Sequence, residues 1–246
     1  RIFQHLDGLV TAPVVYALYQ KGILHYLLEN KEVSLSTLSS EFKANEGYLN
    51  VALRVLASQG MLGYKLDNAN NSVVVTSNSK SALFFSLAPV YEEVIDVLKE
   101  KDWFTSVQIQ NESYQDLNRL FEWYKNKCHV QLSENDDERD IQEQFLSHIE
   151  GYLVGPIIVS LGMTGMFHKY FMEASFSADE FHKNPQTLEK VLERLAELGW
   201  FTKHEKNYKF TEAGLFFARR ATSYGVTVSY LPMFSKVNDL VFGSPT

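Results

Sequence analysis

The fold is decided by a stretch that occurs twice: residues 53–60 read LRVLASQG, and residues 192–199 read LERLAELG. A second pair of matching stretches lies upstream, where residues 5–8 read HLDG and residues 148–151 read HIEG. Between and beyond these stretches, further residues match in the same order: Pro13 with Pro156, Gly22 with Gly165, His25 with His168, and Thr76 with Thr211. Because so many landmarks recur in order, we interpret the chain as an internal duplication.

Each copy is predicted to contain three helices. Since proline suits the first turn of a helix, we expect the first helix to start near Pro13 in one copy and near Pro156 in the other. A short second helix is predicted after the capping residues Ser34 and Ser177. The third helix shows apolar residues at helical spacing in both copies: Leu49, Ala52, Leu53 and Leu56, and Leu188, Val191, Leu192 and Leu195.

A hairpin is predicted after each third helix. Gly60 and Gly199 stand where a helix ends with a left-handed residue. The strands that follow are expected at 61–66 and 72–76 in the first copy, and at 200–204 and 208–211 in the second. Three helices and a hairpin in this order form a winged helix.

The sequence thus predicts a mainly α fold with small β-hairpins, built from tandem duplicated winged-helix units joined by a helical connector. We place the first unit at residues 1–88, the connector at 89–144 and the second unit at 145–230. Residues 231–246 are expected to form a linker toward a C-terminal core that this sequence lacks.

Composition limits the classes of partner. The net charge of −7 argues against general affinity for nucleic acid or anionic membranes, since both need surplus lysine and arginine. The one cysteine, Cys128, rules out a disulfide within the chain and a cysteine metal cluster. We find no signal peptide and no apolar run of transmembrane length. A cytoplasmic protein without a membrane partner is therefore expected.

No catalytic, cofactor-binding or metal site is recognised in the sequence. The histidines lack metal-binding spacing, and His5 with His148 and His25 with His168 are duplicated positions, which favours shared architecture. The adjacent acidic pairs Glu92-Glu93 and Asp136-Asp137 are interpreted as solvated charge. No Gly-x-Gly occurs, so the sequence offers no glycine-rich cofactor-binding loop after a strand.

A winged-helix transcription regulator is the alternative to consider. The third helix of the second copy carries Lys190 and Arg194, but also Glu189, Glu193 and Glu197. An acidic recognition helix is poorly suited to phosphates and base edges, so we expect no nucleic-acid partner. A free-standing interaction scaffold is a third interpretation.

The stretches 17–24, 35–38 and 48–62 resemble the N-terminal helper domain of small-molecule methyltransferases that use S-adenosylmethionine. Two such units in series resemble the lid or adaptor region in loading modules of cyanobacterial polyketide synthases, of the apratoxin and curacin type. The resemblance implies a region that is itself not catalytic, that covers an acyl substrate and that mediates domain contacts.

The resemblance also implies partners. These are a C-terminal methyltransferase or GNAT-like domain of the same polypeptide, an acyl carrier protein and a second copy in a homodimer. S-adenosylmethionine is expected in the missing core and no cofactor in this chain. The aromatic residues Tyr16, Tyr19 and Tyr152 are weak candidates for lining a substrate channel, with core packing as the plainer alternative.

Overall fold

A computed structural model describes residues 3–67, 72–99, 111–180 and 185–243. The first copy comprises, in order, α1 Gln4–Gln20, α2 Ile23–Asn30, β1 Glu32–Ser34, α3 Leu35–Glu41, α4 Glu46–Ser58, β2 Gly63–Asp67, β3 Ser72–Thr76 and α5 Ser81–Ser86. A 3-10 segment, Ala88–Tyr91, leads into α6 Glu92–Lys99, and α7 Asn111–Lys125 follows. A second 3-10 segment, Lys127–His129, completes the connector.

The second copy repeats this order. It comprises α8 Asp136–Met163, α9 Met166–Tyr170, β4 Phe176–Ser177, the 3-10 segment Ala178–Glu180, α10 Pro185–Glu197, β5 Phe201–His204, β6 Asn207–Phe210, α11 Glu212–Ala218 and α12 Ala221–Ser229. Two short helices end the described chain: α13 Leu231–Phe234 and α14 Val237–Phe242. The mainly α fold with two winged-helix-like units is confirmed.

Each sheet has three strands, one more than the hairpin that the sequence predicts. The strand orders are β1-β3-β2 and β4-β6-β5, and every neighbouring pair is antiparallel. In the first sheet, Val75 of β3 lies between Val33 and Tyr64. The additional strands β1 and β4 have three and two residues. Segments this short are below the four residues needed for a recognisable alternation.

The expectation that the first helices start at the prolines is wrong. Pro13 lies inside α1 and Pro156 inside α8. Proline has no N–H, so Pro13 leaves the carbonyl oxygen of Leu9, four residues earlier, without its helical donor. The hydroxyl of Tyr152 donates to that oxygen at 2.9 Å. Tertiary packing therefore supplies the hydrogen bond that the helix lacks.

The third helices, α4 and α10, and their glycine ends are confirmed. Gly60 and Gly199 have φ of 74° and 82°, in the left-handed region that favours glycine. The Ser34 cap of α3 is also confirmed, since its side chain accepts from the Thr37 amide. Ser177, by contrast, is the last residue of β4 and precedes the 3-10 segment Ala178–Glu180. The rest of the predicted second helix of this copy, including Phe181, falls on residues 181–184, which the structure does not describe.

The helix α8 belongs to both cores. Its N-terminal half contributes Phe145, Ile149 and Tyr152 to a core cluster that contains most of the first copy. Its C-terminal half contributes Ile157 and Leu161 to the core of the second copy. The two units are consequently packed through shared helices as well as linked by sequence.

One described helix, α8, is long and apolar enough to cross a membrane by length and composition. From the sequence we expect no such segment. However, 72% of the most apolar window of α8 is buried inside the fold, as in the core helix of a soluble protein. The cytoplasmic location stays a prediction.

Candidate functional site

The two copies meet where α1 crosses α8. A Cβ atom on Gly8 would overlap the backbone of His148, and a Cβ atom on Gly151 would overlap the backbone carbonyl of His5. Gly8 corresponds to Gly151, and His5 corresponds to His148, so each contact is the duplicate of the other. The crossing therefore has approximate two-fold symmetry, with the helices running in opposite directions.

Each of the duplicated histidines His5 and His148 is also hydrogen-bonded to a buried tyrosine. His5 Nε2 lies 2.7 Å from the Tyr224 hydroxyl, and His148 Nδ1 lies 2.8 Å from the Tyr91 hydroxyl. Tyr91 follows the first unit and Tyr224 lies in the second, so each histidine is bonded to the other half of the chain. The arrangement is that of a dimer fused into one polypeptide.

Burial keeps both histidines in the neutral form. Burial lowers the pKa of His5 and of His148 to about 4. Burial also raises the pKa of Tyr91 and of Tyr224 far above the ordinary value, so both hydroxyls stay protonated. The remaining nitrogen of His148, Nε2, lies 3.2 Å from Gln59 Oε1. A protonated Tyr91 hydroxyl donating to Nδ1 is consistent with an N–H at Nε2 that donates to Gln59.

The other duplicated histidines, His25 and His168, are exposed. His25 lies 3.1 Å from Glu29 on the same helix. In the first acidic pair, Glu92 accepts a hydrogen bond from the Tyr16 hydroxyl. The second pair, Asp136 and Asp137, forms the first turn of α8, directly after the N-cap residue Asn135. Within the described parts of the chain, no three histidine, cysteine or acidic side chains come together as metal ligands.

Two of the three candidate channel tyrosines, Tyr16 and Tyr152, are buried, and Tyr19 is half-exposed. The hydroxyl of Tyr152 donates to the carbonyl oxygen of Leu9 at the helix crossing. The ring centroids of Tyr16 and Tyr19 lie 6.3 Å apart near the end of α1. A channel role for Tyr16, Tyr19 and Tyr152 stays a prediction.

An apolar pocket lies elsewhere, on the first unit between α1, α4 and the C-terminal helices. It has a volume of about 180 Å³. Its floor is buried and its rim is exposed; the lining includes Val14, Val51, Ala52, Met233, Val237 and Val241. The amide of Asn45, the cap of α4, donates to the carbonyl of Val241 at 2.7 Å and anchors α14 beside α4.

Sequence reasoning did not identify this pocket, because residues 231–246 were interpreted as a linker. The residues of α13 and α14 instead pack onto the first unit, although Val241 comes about 190 residues after the middle of α4 in the sequence. A usable signal was present in the duplication: Val51 of the first copy stands where the second copy has Lys190. The two copies therefore present different surfaces at this position.

The described residues do not fit an S-adenosylmethionine site. A dinucleotide-type site needs the carboxyl end of a parallel strand followed by a glycine-rich turn and a helix. In the described ranges every strand pairing is antiparallel.

Comparison with protein families gives two matches. Residues 1–64 match the model described as the AprA N-terminal domain. Residues 150–244 match the model described as the AprA winged helix domain. No curated protein matches the chain. The chain is therefore similar to two AprA domains, which follow one another in this order.

Proposed function

We propose that this chain is a non-catalytic lid and adaptor region of a polyketide synthase methyltransferase or a related loading module. In this role it covers the acyl substrate of a neighbouring catalytic domain and mediates domain contacts. The observation that carries the proposal is the pair of AprA-type domains at 1–64 and 150–244.

The packing of the two units supports a rigid adaptor. Backbones in contact at Gly8 and Gly151, together with two buried histidine–tyrosine bonds, leave little freedom between the halves. A rigid body is suited to holding a roof over a reaction that must exclude water, because exclusion of water strengthens the polar contacts inside a site. Partners in this role are a methyltransferase or GNAT-like domain and an acyl carrier protein.

The surface of α10, which takes the position of a recognition helix in the second unit, favours a protein partner over duplex DNA. Arg194 of α10 forms an ion pair with Glu122 of α7 at 2.6 Å and another with Glu197 at 2.9 Å. Lys203 of β5 contacts the carboxylates of Glu193 and Glu189. These cations are neutralised within the protein, which weakens the electrostatic attraction that DNA binding requires.

Calorimetry with S-adenosylmethionine separates a helper from a catalytic domain. We expect no binding by this chain, and an unchanged affinity when the chain is added to a separately produced methyltransferase core of an AprA-type synthase. Stoichiometric binding in the micromolar range by the chain alone would show that the non-catalytic assignment is wrong.

A further inference from the structure

The two third helices differ on one face. Tyr48, Val51 and Val55 of α4 correspond to Thr187, Lys190 and Arg194 of α10. Val51 is 58% exposed. Because α10 forms the same helix with a lysine at this position, the fold does not require the valine. The exposed part of Val51 therefore calls for an explanation other than the stability of the helix.

The grooves beside the two helices differ in the same way. In the second unit, α7 packs against α10, with Leu120 and Phe121 buried in that core and with Asn118 bonded to Arg194. In the first unit, α14 packs against α4 and leaves the pocket between them. The groove beside α10 is therefore filled by side chains of α7, whereas the groove beside α4 keeps a pocket.

The size and the apolar lining of the pocket favour a small apolar group as its ligand. Every lining side chain is a hydrocarbon, a thioether or an aromatic ring, with the Tyr48 hydroxyl as the one polar group among them. An apolar cavity of roughly 150 Å³ stays dry and binds benzene in a well-studied protein. A pocket of about 180 Å³ therefore fits one aromatic ring or a short alkyl chain.

A shallow depression continues from the pocket along α4. It shares Val51 and Val55 with the pocket and adds Arg54 and Ser58, which are exposed and polar. A longer molecule can thus insert its apolar end between α4 and α14 while its polar remainder lies along the helix in water. Acyl thioesters have this division into an apolar end and a polar arm.

We infer that the pocket between α1, α4 and α14 binds the apolar end of a short acyl thioester. The choice of an acyl group rests on the proposed function, and the site itself rests on the geometry. The pocket thereby makes the first unit a substrate-recognition element, whereas the second unit, which is closed at this place, is structural.

The test uses the complete chain with ¹³C-labelled valine and methionine methyl groups, titrated with the hexanoyl thioester of N-acetylcysteamine. We expect saturable shifts at Val51 and Met233. Val51→Lys, which copies the residue of the second unit, should weaken binding at least tenfold. The matched control is Val226→Lys on α12, since Val226 is 63% exposed and lies outside the pocket lining; binding should be retained.

A second variant fills the floor of the pocket. Ala52 is buried and corresponds to Val191 in α10, so Ala52→Val should be accepted by the fold and should also weaken binding. Circular dichroism and thermal unfolding establish that both variants are folded. Absence of saturable shifts in the wild-type chain, or equal affinity in Val51→Lys, would overturn the inference.

The experiments distinguish a wrong pocket assignment from a wrong lid role. If the chain enhances turnover of the acyl acceptor by a methyltransferase core and Val51→Lys does so equally, the lid role stands and the pocket assignment is wrong. If the thioester binds as expected and the chain has no effect on the core, the pocket assignment stands and the lid role is wrong.

Discussion

Gly8 of α1 lies directly against the backbone of His148 on α8, so closely that a Cβ atom at Gly8 would overlap the carbonyl oxygen of His148. The duplicate contact, between Gly151 and His5, is equally close. Glycine is required here by the approach of two helices. The interface between the two copies therefore leaves no room for a side chain at Gly8 or Gly151.

The first prediction concerns these glycines. Gly8→Ala and Gly151→Ala should each lower the free energy of unfolding by about 1–3 kcal/mol, because overpacking forces the backbones apart. Urea denaturation measures the change. The control is Gly225→Ala in α12, where a Cβ atom meets nothing within 4 Å. This change should be neutral or stabilising, since alanine favours a helix over glycine by roughly 0.5–1 kcal/mol. Equal effects at all three positions would contradict the packing argument.

Stability should fall as the pH falls below about 6.5. In the unfolded chain His5 and His148 take up protons near their ordinary pKa of 6.5, whereas in the folded chain burial holds the pKa of each at about 4. Between these values the unfolded state binds more protons, so the free energy of unfolding decreases, by up to about 3 kcal/mol for each histidine. The double variant His5→Gln, His148→Gln should show a smaller slope than the wild type between pH 6.5 and 5. Parallel slopes would contradict the prediction.

Loss of one reciprocal hydrogen bond should be measurable. Tyr224→Phe removes the hydroxyl at 2.7 Å from His5 Nε2 and leaves that buried nitrogen without this partner. The expected loss is about 1–3 kcal/mol in the free energy of unfolding. Tyr230→Phe, at a half-exposed ring in the same region of the chain, serves as the control and should change stability by less than about 0.5 kcal/mol. An unchanged free energy of unfolding in Tyr224→Phe would show that the hydrogen bond to His5 does not stabilise the fold.

We expect no specific binding to duplex DNA. The physical reason is the pairing of Arg194 and Lys203 with carboxylates, together with a net charge of −7. Fluorescence anisotropy at low salt with random-sequence and selected duplexes provides the measurement. A salt-dependent affinity in the nanomolar range, which is typical of specific sites, would favour the transcription-regulator alternative.

Local signals in the sequence were sufficient for much of the fold. The apolar spacing of the third helices and the glycines that end them are signals between neighbouring residues. They predict helices at about residues 46–59 and 185–198, which agree with α4 and α10 to within about one residue. Pro13 and Pro156 misled the prediction, because the hydrogen bond from Tyr152 that compensates Pro13 comes from a helix far away in sequence. The pocket could not be predicted for the same reason, since it exists only once α14 packs on α4.

As a lid, this chain should affect the reaction of the acyl substrate that it covers and leave cofactor binding to the neighbouring domain. The test is the kcat/KM for the acyl acceptor of an AprA-type methyltransferase core with and without this chain, beside the Kd for S-adenosylmethionine under the same conditions. We expect a rise in kcat/KM on addition of the chain and no change in the Kd. An unchanged kcat/KM, or an effect confined to the Kd for S-adenosylmethionine, would contradict it.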